Sequence, residues 1–201
     1  VLVPQSVNFL DPLMKISDQT IGHTKNDEEK AKKKIKQREI FEQYNLGPEV
    51  DDIYPHQLSG AMARRVLVST TLLSDPQIVV ADEPTPGLDQ KTVKETLNHF
   101  KQMKEDGIGI LLITHDIYAA LDVADRIAIL YAGYVIEIAQ TKDFTGSGEN
   151  LLHPYTKSLY KALPENGFNL VKGHQPHHSE TQKGCPYYER CEMRCEKCKN
   201  Q

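Results

Sequence analysis

A mainly parallel α/β sheet covered by helices, with a small cysteine-rich extension at its C-terminal end, is the fold class that the sequence predicts. Three observations predict it. Short apolar runs at 78–81 and 108–114 have the length and composition of strands from a sheet interior. Segments of helical periodicity alternate with them, and strand–helix–strand alternation builds parallel pairs through right-handed crossovers. All four cysteines fall between Cys185 and Cys198, after the alternation has ended.

The elements follow in order. Val1 to Val3 is a short apolar strand that Pro4-Gln5 turns into a loop. Asn8-Phe9-Leu10-Asp11-Pro12 is a turn before a short amphipathic segment. Residues 24–45 predict a helix, with a charge run from Lys25 to Arg38 as its solvated face and Ile35, Ile40, Phe41 and Tyr44 on a helical period. Gly47-Pro48 stops it. Ser59 precedes a helix over 60–73, stopped by Ser74-Asp75-Pro76. Ile78-Val79-Val80-Ala81 reads as a strand of the fully buried kind. A helix over 89–106 places Val93, Leu97, Phe100 and Met103 on one face; Gly107 ends it, and 108–114 forms a second buried strand. After a short helix to Ala124, strands at 126–131 and 134–139 flank Ala132-Gly133 as a hairpin. Tyr155 to Leu163 is a short helix, and the Gly-, His- and Pro-containing stretch 165–184 is a linker.

Composition excludes several functions. Lys plus Arg is 24 and Asp plus Glu is 28, a formal charge of −4. That balance opposes general phosphate-backbone binding, so no nucleic-acid partner is expected. With 39% hydrophobic and 26% charged residues the chain is globular in character. No apolar run approaches the roughly 18 residues needed to span a bilayer. Val1-Leu2-Val3-Pro4 has no basic n-region and no long apolar core, so it is not a signal peptide. The chain enters directly on a strand without Met, and an N-terminus further upstream is expected. Clustered cysteines argue for a local metal site in a reducing compartment.

The chemistry-bearing residues sit at strand ends. The apolar strand 78–81 delivers Asp82 and Glu83 together, then Pro84. Open α/β sheets bind ligands at that end of their strands. Paired acids there divide labour, one holding Mg²⁺ and the other orienting or deprotonating a water. Leu58-Ser59-Gly60-Ala61-Met62 stands before a helix, where Ser59 is a good N-cap and small residues leave backbone N–H groups open to a phosphate. Leu111-Leu112-Ile113-Thr114-His115-Asp116 puts His115 at the end of the next strand.

The order Gln5, LSGAM, ADEP, Leu88-Asp89, THD over residues 1–139 resembles the ATP-binding subunits of ABC transporters, which have the ABC type of P-loop NTPase fold, a parallel sheet core with a helical subdomain. Gln5 resembles the Q-loop glutamine, Ser59, Gly60 and Ala61 the signature motif, and Asp82 with Glu83 the Walker B pair. Asp89 resembles the D-loop aspartate and His115 the switch histidine. Tyr54-Pro55-His56-Gln57, Met62, His153-Pro154-Tyr155-Thr156, Gly173 to Pro176, Gly184-Cys185-Pro186 and Arg190-Cys191 are similar to the dipeptide, oligopeptide and nickel importers of prokaryotes. The resemblance implies a division into a partial ATPase core (1–13 and 75–145), a helical subdomain (14–74) and a C-terminal extension (146–201).

It also implies a mechanism. Two ATP are sandwiched in a head-to-tail dimer with a second ABC ATPase subunit, identical or different. Ser59, Gly60 and Ala61 reach the γ-phosphate held by the opposite subunit, Asp82 holds Mg²⁺, Glu83 polarises the attacking water, and His115 contacts the γ-phosphate. Gln5 passes closure to transmembrane permease subunits at the cytoplasmic face of the cell membrane, with an extracytoplasmic solute-binding protein as an indirect partner. Three departures stand against the pattern. The loop G-x-x-x-x-G-K-S/T is absent, so this polypeptide alone is not expected to hydrolyse ATP. Ala61 replaces a signature glycine, and its methyl group crowds the phosphate approach. The sheet lacks the P-loop strand, leaving an unpaired edge.

The tail reads Cys185-x5-Cys191-x3-Cys195-x2-Cys198, which suits four thiolates around zinc or an iron–sulfur cluster. The resemblance implies a 4Fe–4S cluster, with either Cys195 in place of a distal cysteine or the site completed elsewhere; Zn²⁺ is the alternative. His174, His177 and His178 read as solvated linker residues. Two other functions were weighed. A DNA-maintenance ABC ATPase is opposed by the lack of a heptad run or basic stripe. A degenerate, non-hydrolytic partner subunit is favoured by Ala61 and opposed by Glu83 and His115.

Overall fold

The structure, a computed structural model, describes residues 1–5, 7–169, 171–176 and 184–200. The chain forms two compact units, Val1–Val123 and Ala124–Gln201.

The first unit is built on a three-stranded sheet. β1 (Leu2–Val3), β2 (Ile78–Asp82) and β3 (Gly109–Ile113) lie in that order, and both pairs are parallel. Val3 sits opposite Ala81 and Asp82 opposite Ile113. That register places the ends of β2 and β3 side by side. Helices α1 (Ile16–Ile21), α2 (Asp27–Gln43), α3 (Gly60–Leu72), α4 (Gln90–Glu105) and α5 (Ile117–Val123) complete the unit.

Local chemistry fixes the helix ends. Asn26 caps α2 by accepting from Glu29 N at 2.8 Å, and Ser59 caps α3 by accepting from Met62 N at 3.2 Å. Asp89 caps α4 twice over, through Lys91 N and Thr92 N. Thr92, Thr96, Leu97, Phe100 and Met103 form the buried stripe of α4. Leu97, Phe100 and Met103 join Val66, Leu67, Val79, Ala81, Ile40 and Phe41 in one core. The expected apolar face of α2 is corrected at one position. Ile40, Phe41 and Tyr44 are buried, but Ile35 is exposed. Five residues from 35 to 40 turn an α-helix by about 140° beyond a full circle, so the two side chains leave on different faces.

A second correction concerns the strands. Both were expected to be buried on two faces, yet β2 and β3 alternate. Val3, Val79 and Ala81 are fully buried, while Leu2 is 51% exposed, Ile78 61%, Leu111 55% and Ile113 46%. Helices cover one face of the sheet; among the described residues no layer covers these four side chains. Successive residues of a strand point to opposite faces, so a one-sided cover imposes a period of two on a uniformly apolar sequence.

The second unit opens with the antiparallel hairpin β4 (Arg126–Tyr131) and β5 (Tyr134–Gln140). Ala132 and Gly133 both have positive φ, 48° and 85°, as a two-residue turn matched to strand twist requires. α6 (Pro154–Lys161) and α7 (Glu196–Asn200) follow. Tyr131, fully buried, packs with Tyr155 and Tyr187, and its hydroxyl accepts from Arg190 Nη1 at 3.1 Å.

Candidate functional site

The end of β2 turns abruptly. Glu83 has φ of 43°, in the left-handed region where a side chain is strained, and its N–H donates to Ile113 O at 2.9 Å. The hydrogen bond ties Glu83 to the neighbouring strand. The strain is held where the sheet meets the next strand's loop, and its result is a carboxylate directed at that loop. Oε1 of Glu83 accepts from His115 N at 3.2 Å and lies 2.9 Å from His115 Nδ1. The hydrogen bond to Glu83, followed by its charge, raises the His115 pKa above the ordinary imidazole value. Oε2 of Glu83 is buried and has no hydrogen-bond partner among the described residues.

His115 is placed by its own neighbours. Asp116 N donates to Thr114 Oγ1 at 3.0 Å, and Asp116 Oδ1 accepts from Tyr118 N and Ala119 N at the start of α5. The imidazole therefore leaves a braced turn and stands well exposed, at 79% for the side chain against 20% for Glu83. Asp82 is half-buried at the last position of β2. Asp82 and the free oxygen of Glu83 are hard oxygen donors, a chemistry that fits Mg²⁺ and a water molecule.

The other expected residues stand apart. Ser59 and Gly60 are exposed at the start of α3, and a Cβ added at Gly60 meets nothing within 4 Å. None of Ser59, Gly60 and Ala61 bonds to Asp82, Glu83 or His115 among the described residues. Asp89 is engaged in capping, with Oδ2 accepting from Thr92 Oγ1 at 2.6 Å; that hydroxyl and the Thr92 N–H hold its pKa below the carboxylate range. Gln5 is exposed just after β1, and its carbonyl accepts from Arg64 of α3. Arg64 was missed in the sequence. The signal for it was an arginine within the buried face formed by Ala63, Val66 and Leu67.

Residues 1–86 match the ABC transporter family, and residues 136–198 match the oligopeptide/dipeptide transporter C-terminal region. The chain thus carries an ABC transporter segment followed by the C-terminal region of the oligopeptide/dipeptide transporters. The dipeptide transport ATP-binding protein DppD of Bacillus subtilis (strain 168) is 34% identical, over 94% of this chain and 58% of that protein. DppD of Caldanaerobacter subterraneus subsp. tengcongensis is also 34% identical, over 100% of this chain and 64% of that protein. The chain thus spans about three fifths of the length of these relatives. Among solved structures, the ATP-binding cassette MJ0796 in a dimeric post-hydrolysis state with ADP and Pi has a TM-score of 0.59. It is 29% identical, over 70% of this chain and 62% of that one. Over the part of the chain that it covers, the fold is accordingly that of an ABC cassette.

The family's C-terminal region accounts for the second unit. Glu137 of β5 accepts from Leu152 N at 2.8 Å and His153 N at 2.9 Å, which anchors the turn into α6. His153 Nδ1 caps α6 by accepting from Tyr155 N at 3.1 Å, and its Nε2 lies 3.6 Å from Cys185 Sγ. The expected cysteine metal site is not shown among the described residues. Cys185 faces His153, whereas Cys195 Sγ and Cys198 Sγ pair with each other at 3.4 Å. Among the described residues no group of three or more His, Cys, Asp or Glu side chains is placed to hold a metal ion. Cys191 lies near enough to Cys185 and Cys198 for their charges, after burial, to raise its thiol pKa. His174 is exposed; His177 and His178 lie outside the described residues.

Proposed function

We propose that this chain carries the hydrolytic half-site and the signature segment of an ATPase subunit that energises a peptide importer. The observation that carries the proposal is the Glu83–His115 pair at the end of a parallel strand, with Glu83 Oε2 left free. A buried carboxylate oxygen without a partner is costly unless a donor meets it. An attacking water is such a donor. In hydrolysis that water would bond to the γ-phosphorus as the bond to the leaving diphosphate oxygen breaks, and Glu83 Oε2 would orient it and accept its proton. His115, fixed through Oε1, would stabilise charge on the γ-phosphate. Asp82 would hold Mg²⁺, which when bound neutralises phosphate charge.

Ser59, Gly60 and Ala61 would serve the ATP of a second ABC subunit. The exposure of Ser59 and Gly60, and the absence of bonds from all three to Glu83 among the described residues, support that role, because a signature segment working across a dimer must be free of its own carboxylates. Asp89 would lie at the dimer contact, and Gln5 would report the state of the site to permease subunits. The division into a core (1–13 and 75–145), a helical subdomain (14–74) and an extension (146–201) belongs to the same reading. So does a phosphate-cradling segment outside these 201 residues, supported by the open sheet face and by the greater length of the relatives. No helix among the described residues is long and apolar enough to cross a membrane, in keeping with a subunit docked on the cytoplasmic side of its permease. Peptides are the proposed cargo, on the names of the relatives. Nothing in the structure favours nickel or metal chelates, DNA maintenance or a non-hydrolytic role. A metal-bearing tail rests on cysteine spacing alone, and no step passes through it.

Substitution tests the central assignment. In the full-length natural protein, Glu83→Gln is expected to keep ATP binding and to lower kcat by about a hundredfold or more. Unchanged turnover removes Glu83 from catalysis.

A further inference from the structure

Arg64 is the most deeply buried cation in the first unit, 4% exposed on a helix face shared with Ala63, Val66 and Leu67. No carboxylate pairs with it among the described residues, and burial alone depresses its pKa. Its two arms go to consecutive backbone carbonyls of another element. Nη1 donates to Pro4 O at 2.7 Å and Nη2 to Gln5 O at 2.6 Å, while Nε has no partner. An uncompensated buried guanidinium is an expensive way to fill a core, and an apolar side chain of similar volume would do it at lower cost. What only arginine supplies is a rigid fork that grips two acceptors at once.

The two elements so joined are not arbitrary. Pro4 and Gln5 leave β1 directly after Val3, which is paired with Ala81 one residue before Asp82. Arg64 stands five residues beyond Ser59, about 7.5 Å along α3. One guanidinium therefore links the helix bearing the signature residues to the backbone that positions Gln5, beside the strand bearing the carboxylates. We infer that Arg64 is a positioning residue, which holds Gln5 at the ATP site and makes movement of the signature helix and of Gln5 a single event. The inference rests on the ATPase reading above. It adds a route by which dimer closure on α3 reaches the Gln5 loop without passing through nucleotide.

A mutant cycle in the full-length natural protein tests it, with kcat and KM for ATP, fluorescent-nucleotide affinity and thermal midpoint measured together. Arg64→Met keeps volume and removes the fork. It is expected to lower kcat about tenfold with KM and nucleotide affinity changed less than about twofold. In a Gln5→Ala background the same change is expected to cost less than about twofold, because residues acting as one unit are non-additive. Arg64→Lys, which reaches only one carbonyl, is expected to fall between. Equal losses in both backgrounds, or full kcat in Arg64→Met, overturn the inference and leave the ATPase reading intact. Full kcat in Gln5→Ala overturns the role of Gln5 and this inference with it. If Arg64→Met does not fold, Arg64→Lys carries the same cycle; loss of the fold in both assigns Arg64 to the core and overturns the inference.

Discussion

The two oxygens of Glu83 occupy different environments, and a strained backbone creates the difference. A positive φ at a non-glycine residue persists only where its surroundings over-determine it. Here Ile113 O, His115 N and the His115 ring all hold Glu83, and one oxygen is left over. Away from the site, His99 gives a pH-dependent test of the same residue-level physics. Its ring packs 3.9 Å from that of Tyr44, Nδ1 is buried without a hydrogen bond, and burial, opposed by Glu95 and aided by Arg65, lowers its pKa below 6.5. Above the unfolded value both states are neutral and the shift contributes nothing. As pH falls through 6.5 the unfolded state takes up a proton that the folded state resists, so stability declines. Thermal melts at pH 7.5 and 5.5 are expected to show a smaller acid loss in His99→Phe, which keeps a ring on Tyr44, than in the natural chain. An identical acid loss would show that His99 does not contribute.

At the scale of elements, caps and stripes do most of the positioning. Asp89 holds two amides and a hydroxyl at the start of α4, and a place at the dimer contact is proposed for it. The two roles separate by chemistry. Asp89→Ala is expected to lower the denaturation midpoint, whereas Asp89→Ser retains a good cap and lowers it less. If the carboxylate serves the dimer contact, both variants lose ATPase activity; denaturant titration beside turnover measurement decides. The cysteine tail is an element of another kind, held to the hairpin by Tyr131, Tyr187 and Arg190. A tetrahedral zinc site needs its sulfurs about 2.3 Å from one point, and among the described residues no group of three or more ligands is so placed. Metal analysis of the anaerobically purified full-length protein is expected to show zinc well below one per chain. Stoichiometric zinc would mean that the tail rearranges, and matched iron and sulfide would identify the cluster that the spacing suggests.

For the molecule as a whole, the open face of the sheet has the largest consequence. Leu2, Ile78, Leu111 and Ile113 form exposed apolar surface on strands whose sequence is that of an interior. The 201-residue chain on its own is therefore expected to self-associate in light scattering; a monomeric 201-residue chain would contradict it. The sequence was enough to establish the alternation of strands and helices, the hairpin at Ala132-Gly133, and the positions of Asp82, Glu83 and His115. Those depend on local periodicity, turn residues and the ends of apolar runs, which are written in consecutive residues. It could not show that Ile35 leaves the core or that the strands are covered on one face only. Nor could it show that Glu83 turns to meet His115, or that Arg64 reaches 60 residues back to Pro4 and Gln5. Those are settled by which surfaces meet and in what register, and only the folded chain brings such distant groups within hydrogen-bond reach.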